Sequence, residues 1–299
     1  MARNGGLSSM KSTVQERLRR VEGRHNALVK ELRRTFARGE LTDSGACAIE
    51  GLRIVEEAIR SGLRFEAVFF SDVAQTKAER LLPQIGAHVA TLVLPEKLFA
   101  GVVPSETPQG VAALVRVKEF SVDDVIRVGQ PSADKPAPSE VEGSVRATQA
   151  GILVGVAGIQ DPGNLGTILR SAEAFGSSGV LLGENTVSPF NSKVVRASAG
   201  SIFRLPIVRT KLGDVIPKLR ENGIRLLATS SHKGTPLNEA NLSGAVAVFI
   251  GSEGAGLPRE VMAAIDEVVV IPHREQVESL NAGVAASIVL YEAARQRNR

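Results

Sequence analysis

The 299-residue chain has one cysteine, Cys47, which permits neither an intrachain disulfide nor a CxxC metal site. Its four histidines, His25, His88, His232 and His273, stand far apart. A metal centre built from His and Cys is therefore not expected. No apolar run reaches the roughly 18 residues that cross a bilayer, and the first ten residues, MARNGGLSSM, lack the apolar core of a signal peptide. These absences predict a cytoplasmic protein with no membrane and no metal partner. Neither a GxGxxG turn between a first strand and helix nor a GxxxxGK[ST] loop occurs, which argues against nicotinamide, flavin and ATP chemistry. No internal repeat is visible.

Hydrophobic residues make up 43% of the chain, which excludes a disordered protein, and the length predicts one large or two medium domains. Net charge is only +4, but it is unevenly spread: between Lys11 and Arg38 nine Lys or Arg face three Glu. Such a basic stripe meets a polyanion or forms a solvated helix face. On the first reading Arg19, Arg20, Arg24, Lys30, Arg33 and Arg34 are candidate nucleic-acid contacts.

Residues 1–12 read as a flexible arm. Apolar spacing predicts a helix over 13–38, a strand at 46–50, a helix at 52–61, a strand at 65–71, a charged helix through 82, a weak strand at 89–94 and a strand ending near 117. This describes a small α/β domain over 13–118. Residues 119–149, with the run GQPSADKPAPSEVEGS, read as a linker or exposed loop. A second domain over 150–299 alternates apolar strands (152–157, 180–182, 207–208, 226–229, 246–250, 268–271) with helices (165–175, 192–197, 212–221, 260–264, 279–295). That alternation predicts a mostly parallel sheet covered on both faces.

Three of its strands empty into polar, glycine-containing or small-residue turns, where an open α/β sheet binds ligands. In the first, Asp161 or Asn164 caps the helix carrying Arg170, or Asn164 and Arg170 serve a ligand, with the guanidinium clamping phosphate. In the second, Gly251, Gly254 and Gly256 surround Glu253, which caps a helix or holds a substrate group. In the third, Glu278, Ser279 and Asn281 enter a helix of small residues, either as a capping box or as a site. The small side chains Ala282, Gly283, Ala285, Ala286 and Ser287 imply close approach by another backbone or subunit.

Together, NLGTILRSAEAFG from Asn164, FIGSEGAGLP from Phe249 and IPHREQVESLNAGVAASIVLYEAARQ from Ile271 resemble motifs 1, 2 and 3 of the SpoU/TrmH family of RNA ribose 2'-O-methyltransferases. KVVRASAGS from Lys193 matches that family too, and the resemblance covers about 150 residues in order. NALVKELRR, EGLRIVEEAIRSG and TPQGVAAL resemble the ribosomal-protein-like (L30e-type) substrate-binding domain of many members. The resemblance implies an α/β domain threaded into a C-terminal trefoil knot (the SPOUT fold) and a homodimer formed through it. It also implies an S-adenosylmethionine pocket made by Thr229, Ser230 and Ser231, by Phe249, Ile250, Gly251 and Gly254, and by Ile271, Pro272, Ser279 and Leu280. Arg170 would act on the ribose 2'-hydroxyl, as a perturbed base or as a stabiliser of the developing alkoxide. Asn164, Glu253 and Asn281 would position it or the methyl donor, and Arg196 would contact RNA phosphate.

After Ile271-Pro272 the family commonly carries methionine and then one or two glycines. His273, Glu275 and Gln276 stand there instead, so a different cofactor fit is expected. Gly283 stands where a serine is frequent. The resemblance implies methyl transfer to structured RNA, with 23S rRNA favoured and tRNA second. The alternatives are a non-catalytic RNA-binding or ribosome-assembly protein of the same fold, and a small-molecule methyltransferase.

Overall fold

The structure is a computed structural model that describes residues 16–128, 151–252 and 254–297. The expected arm at 1–12, most of the expected linker and Glu253 lie outside the described residues. The chain divides into two compact units, Met1–Lys118 with Ser188–Phe203, and Glu119–Val187 with Arg204–Arg299.

In the first unit, strands β1 (Arg19–Arg20), β2 (Ala46–Glu50), β3 (Arg64–Ser71), β4 (Ala90–Leu94) and β5 (Val111–Arg116) form one sheet in the order β1-β4-β3-β5-β2. Helices α1 (Ala27–Arg38), α2 (Leu52–Arg60), α3 (Gln75–Leu81) and α4 (Glu96–Ala100) accompany them. The single helix expected over 13–38 does not form: a strand precedes a shorter helix. Arg19 and Arg20 pair in parallel with Leu92 and Val93, and the N–H of buried Val21 donates to the Val93 carbonyl at 2.9 Å. Helix α1 starts only where Asn26 caps it, its side-chain oxygen accepting from the N–H groups of Leu28 and Val29. Burying Val21 against the sheet and capping at Asn26 outweigh the helical spacing of the preceding residues.

The second unit holds β6 (Ile152–Val156), β7 (Ser177–Leu182), β8 (Ile207–Arg209), β9 (Arg225–Ser230), β10 (Thr235–Pro236), β11 (Val246–Ile250) and β12 (Glu267–Val270). They form a seven-stranded sheet, β10-β12-β9-β11-β6-β7-β8, in which every pairing is parallel. Strands β6 and β11 lie side by side and are buried along their whole length, which explains their unbroken apolar sequences. Phe249 fills the space over Gly155: a Cβ at that glycine would come within 2.6 Å of the ring.

Helix α5 (Val122–Val128) begins inside the segment that reads as a linker. Ser121 and Asp124 exchange capping hydrogen bonds, and Val125 is fully buried in this unit's core. Helices α6 (Pro162–Ala174), α8 (Leu212–Glu221), α9 (Arg259–Ala263) and α10 (Ala282–Arg297) complete the second unit, while α7 (Ser192–Ala197) groups with the first. Among the described residues no helix is long and apolar enough to cross a membrane.

Candidate active site

The first turn follows β6. Asp161 takes the capping position of α6, its carboxylate accepting from the Asn164 N–H at 2.8 Å, and Pro162 occupies the first helical turn. Because Asp161 caps, the side chain of Asn164 is left for other use. It accepts from the Asn281 amide at 2.7 Å across 117 residues of sequence. Asn281 works in both directions: its side-chain oxygen accepts from the N–H groups of Gly283 and Val284 at 3.0 and 3.2 Å, capping α10.

Helices α6 and α10 pack closely because their contact is lined with small residues. A Cβ on Gly283 would meet Thr167 at 3.1 Å, and the Ser171 and Ser287 hydroxyls are 2.7 Å apart. Ser287 also donates to the Gly283 carbonyl at 2.7 Å, so the hydroxyls form a short chain. Arg170, next to Ser171 on α6, is exposed and has no hydrogen-bond or ion-pair partner among the described residues.

The second turn folds back on itself. Ser252 and Gly256 form a bridge, the Gly256 N–H donates to the Ser252 carbonyl at 2.9 Å, and Gly256 takes φ 67°. Gly251 has no room for a side chain: a Cβ there would lie 2.6 Å from the Leu257 nitrogen and closer still to the Gly256 backbone. This turn also touches the first, since a Cβ on Gly158 would meet the Ser252 side chain at 3.3 Å.

Beyond the carboxyl ends of β9, β11 and β12 opens a cavity of about 790 Å³. Ile250, Leu257, Met262, Ile271 and Leu280 supply apolar wall, Thr229, Ser230, Ser231, Ser252 and Ser279 supply polar points, and Lys233 is the one lysine that lines it among the described residues. The size lies within the range of small-molecule sites, and the mixture suits a ligand with a flat apolar part and a polar periphery.

The SpoU rRNA Methylase family model matches residues 151–291, and that of an MRM3-like substrate binding domain matches 26–113. The chain is 30% identical over 274 residues to the Bacillus subtilis 23S rRNA (guanosine(2553)-2'-O)-methyltransferase RlmP, covering 92% of this chain and 98% of that protein. The chain belongs to the SpoU methylase family. An AdoMet-bound rRNA methyltransferase from Sinorhizobium meliloti matches it with a TM-score of 0.74 at 26% identity, over 93% of this chain and 98% of that one. The SpoU methyltransferase AviRb from Streptomyces viridochromogenes, in complex with the cofactor AdoMet, matches with a TM-score of 0.74 at 25% identity, over 91% and 99%. The α/β fold is thus that of SpoU methyltransferases with an N-terminal substrate-binding domain.

In this SpoU methylase, nine of the residues expected at the cofactor line the cavity: Thr229, Ser230, Ser231, Ile250, Gly251, Gly254, Ile271, Ser279 and Leu280. Phe249 and Pro272 do not line it; Phe249 is fully buried over Gly155. Asn164 and Asn281 are brought together, whereas Glu253 lies outside the described residues. Arg19, Arg20, Arg24, Lys30, Arg33 and Arg34 are exposed in the first unit. Arg196 belongs to that unit too, 3.9 Å from the buried carboxylate of Glu50 and 3.5 Å from the Ser105 hydroxyl. Burial pushes the Glu50 carboxyl up from its ordinary pKa, against smaller downward pulls from Ser105 and Arg196. Burial likewise pushes the Cys47 thiol to about 12, so it is no nucleophile.

Lys233, Met262, Val268 and Ala285 also line the cavity without having been anticipated. Lys233 follows the Thr229–Ser231 turn by two residues, and that proximity was the available signal. Met262 carried no polar or glycine signal at all.

Proposed function

We propose that the chain transfers a methyl group from S-adenosylmethionine to a ribose 2'-hydroxyl of structured RNA, with 23S rRNA the favoured substrate and tRNA second. One observation carries the reading: the Asn281 amide joins Asn164 at 2.7 Å, tying the turn after β6 to the segment that walls the cavity. The cavity suits the donor, with apolar side chains for the adenine and hydroxyls and glycine backbone for the ribose and amino-acid ends. When bound, S-adenosylmethionine supplies a methyl group already activated on sulfonium. What remains for the protein is to align the hydroxyl and assist its deprotonation, and alignment is the larger contribution.

Arg170, exposed on α6, is assigned to the developing alkoxide. A guanidinium stays protonated, so it acts as an electrostatic stabiliser rather than as a base. Asn164, Asn281 and Glu253 position the reacting groups. Arg19, Arg20, Arg24, Lys30, Arg33 and Arg34, in an L30e-like domain over 13–118, supply phosphate contacts together with Arg196, whose segment Ser188–Phe203 groups with that unit. The domain over 150–299 is assigned the trefoil knot and pairs with a second copy in a cytoplasmic homodimer. Support for pairing comes from Val284 and Tyr291, seven residues apart on one face of α10 and 46% and 55% exposed.

The test is methyl transfer by the purified protein and by R170A to ribosomal RNA, alongside RNA binding. R170A is expected to lose transfer while retaining RNA affinity. Equal transfer by the two proteins would remove Arg170 from the chemistry, and RNA binding without transfer by the wild type would favour a non-catalytic protein.

A further inference from the structure

Residues 271–280 wall one side of the cavity through Ile271, His273, Ser279 and Leu280. The segment contains no glycine, and none of its residues has a positive φ. Burial does not fix its course either, because residues 274–279 are all exposed, Val277 to 44%. A side chain does. The His273 ring sits with Nδ1 2.7 Å from the Ile271 carbonyl oxygen and Nε2 3.1 Å from the Val277 carbonyl oxygen. Carbonyls only accept, so the ring is the donor in either contact: neutral imidazole ties one of them at a time, and the protonated ring ties both. Between these anchor points the Val277 N–H donates to the Arg274 carbonyl at 3.0 Å, closing the turn that the ring spans.

We propose that His273 is a positioning residue, a clasp across 271–277 that holds Ile271, Ser279 and Leu280 in place and thereby sets affinity for S-adenosylmethionine. The assignment to that ligand rests on the methyl-donor reading above. Without the clasp the wall is ordered only when ligand binds, and the ordering cost is subtracted from affinity. Both ring nitrogens face backbone carbonyls, so the clasp acts on affinity for the donor rather than on the transfer step.

Two measurements on the full-length protein test this. In hydrogen–deuterium exchange without ligand, amides of 271–280 should exchange about tenfold faster in H273M, which keeps bulk but has no donor, than in wild type. In calorimetric titration and steady-state transfer, H273M and H273A should bind S-adenosylmethionine about tenfold more weakly and show KM for it raised in step, with kcat within about twofold. H273Q, whose amide donates to one carbonyl, should recover to within about threefold of wild type. Unchanged exchange in H273M with normal uptake by wild type overturns the clasp alone, as does a fall in kcat at constant KM. Faster exchange in H273M with no uptake by wild type overturns the methyl-donor reading, and with it the link from clasp to cofactor affinity.

Discussion

Removing the Asn281 side chain should cost more than removing that of its partner Asn164, and the structure says by how much. Asn281→Ala deletes the 2.7 Å bond to Asn164 and both capping bonds to the N–H groups of Gly283 and Val284. Losing a cap costs about 1 kcal/mol, and losing a side-chain hydrogen bond about 1 kcal/mol, so N281A should lose about 2 kcal/mol of stability. Asn164→Ala should lose only about 1 kcal/mol, because the cap of its helix is Asp161 and survives. The double variant should lose about 2 rather than about 3 kcal/mol, leaving a coupling of about 1 kcal/mol. Urea unfolding followed by circular dichroism measures all four proteins, and a common slope would make the midpoints comparable. Additive losses would refute the inter-turn bond, and equal losses for the two single variants would refute the dual role of Asn281.

Gly251→Ala places a methyl group on the backbone of Gly256 and Leu257, which cannot yield as a flexible side chain would. It should cost about 1–3 kcal/mol and abolish uptake of S-adenosylmethionine in a binding titration. Replacing Lys30, Arg33 and Arg34 with Gln should weaken RNA binding at low salt and reduce the slope of log affinity against log salt by about 2 to 3. An unchanged slope would remove that surface from the RNA contact. Glu50 has its pKa raised by burial, so its contribution to stability is present below the ordinary glutamate value and is lost as pH rises through the raised one. E50Q should therefore gain on wild type in urea midpoint as pH rises above the ordinary glutamate value, and parallel curves would contradict this.

Much of the second unit was legible because its strands are buried on both faces: Ile152–Val156 and Val246–Ile250 are apolar throughout and bounded by turn residues. The cavity turns were legible for the same reason, since polar residues at the ends of such strands stand out. The pairing of Arg19–Arg20 with β4 was not, because a two-residue strand has no period and its partner lies more than 70 residues away. Nor was the division of labour at the first turn. Asp161 and Asn164 are both good caps, and only the position of Asn281 decides which one is free. Strand β10 was missed because Thr235–Pro236 has too little apolar character to read as a strand, and it is paired only through β12. The grouping of Ser188–Phe203 with the first unit had no local signal, since it depends on contacts made far along the chain, such as Arg196 with Glu50.

Transfer of a methyl group from S-adenosylmethionine to an RNA ribose is read out by site-by-site mapping of ribose methylation in total RNA from cells with and without the gene. One position, in 23S rRNA, should lose its 2'-O-methyl group without the gene and regain it with the wild type but not with R170A. An identical methylation map in all of these cells would contradict it.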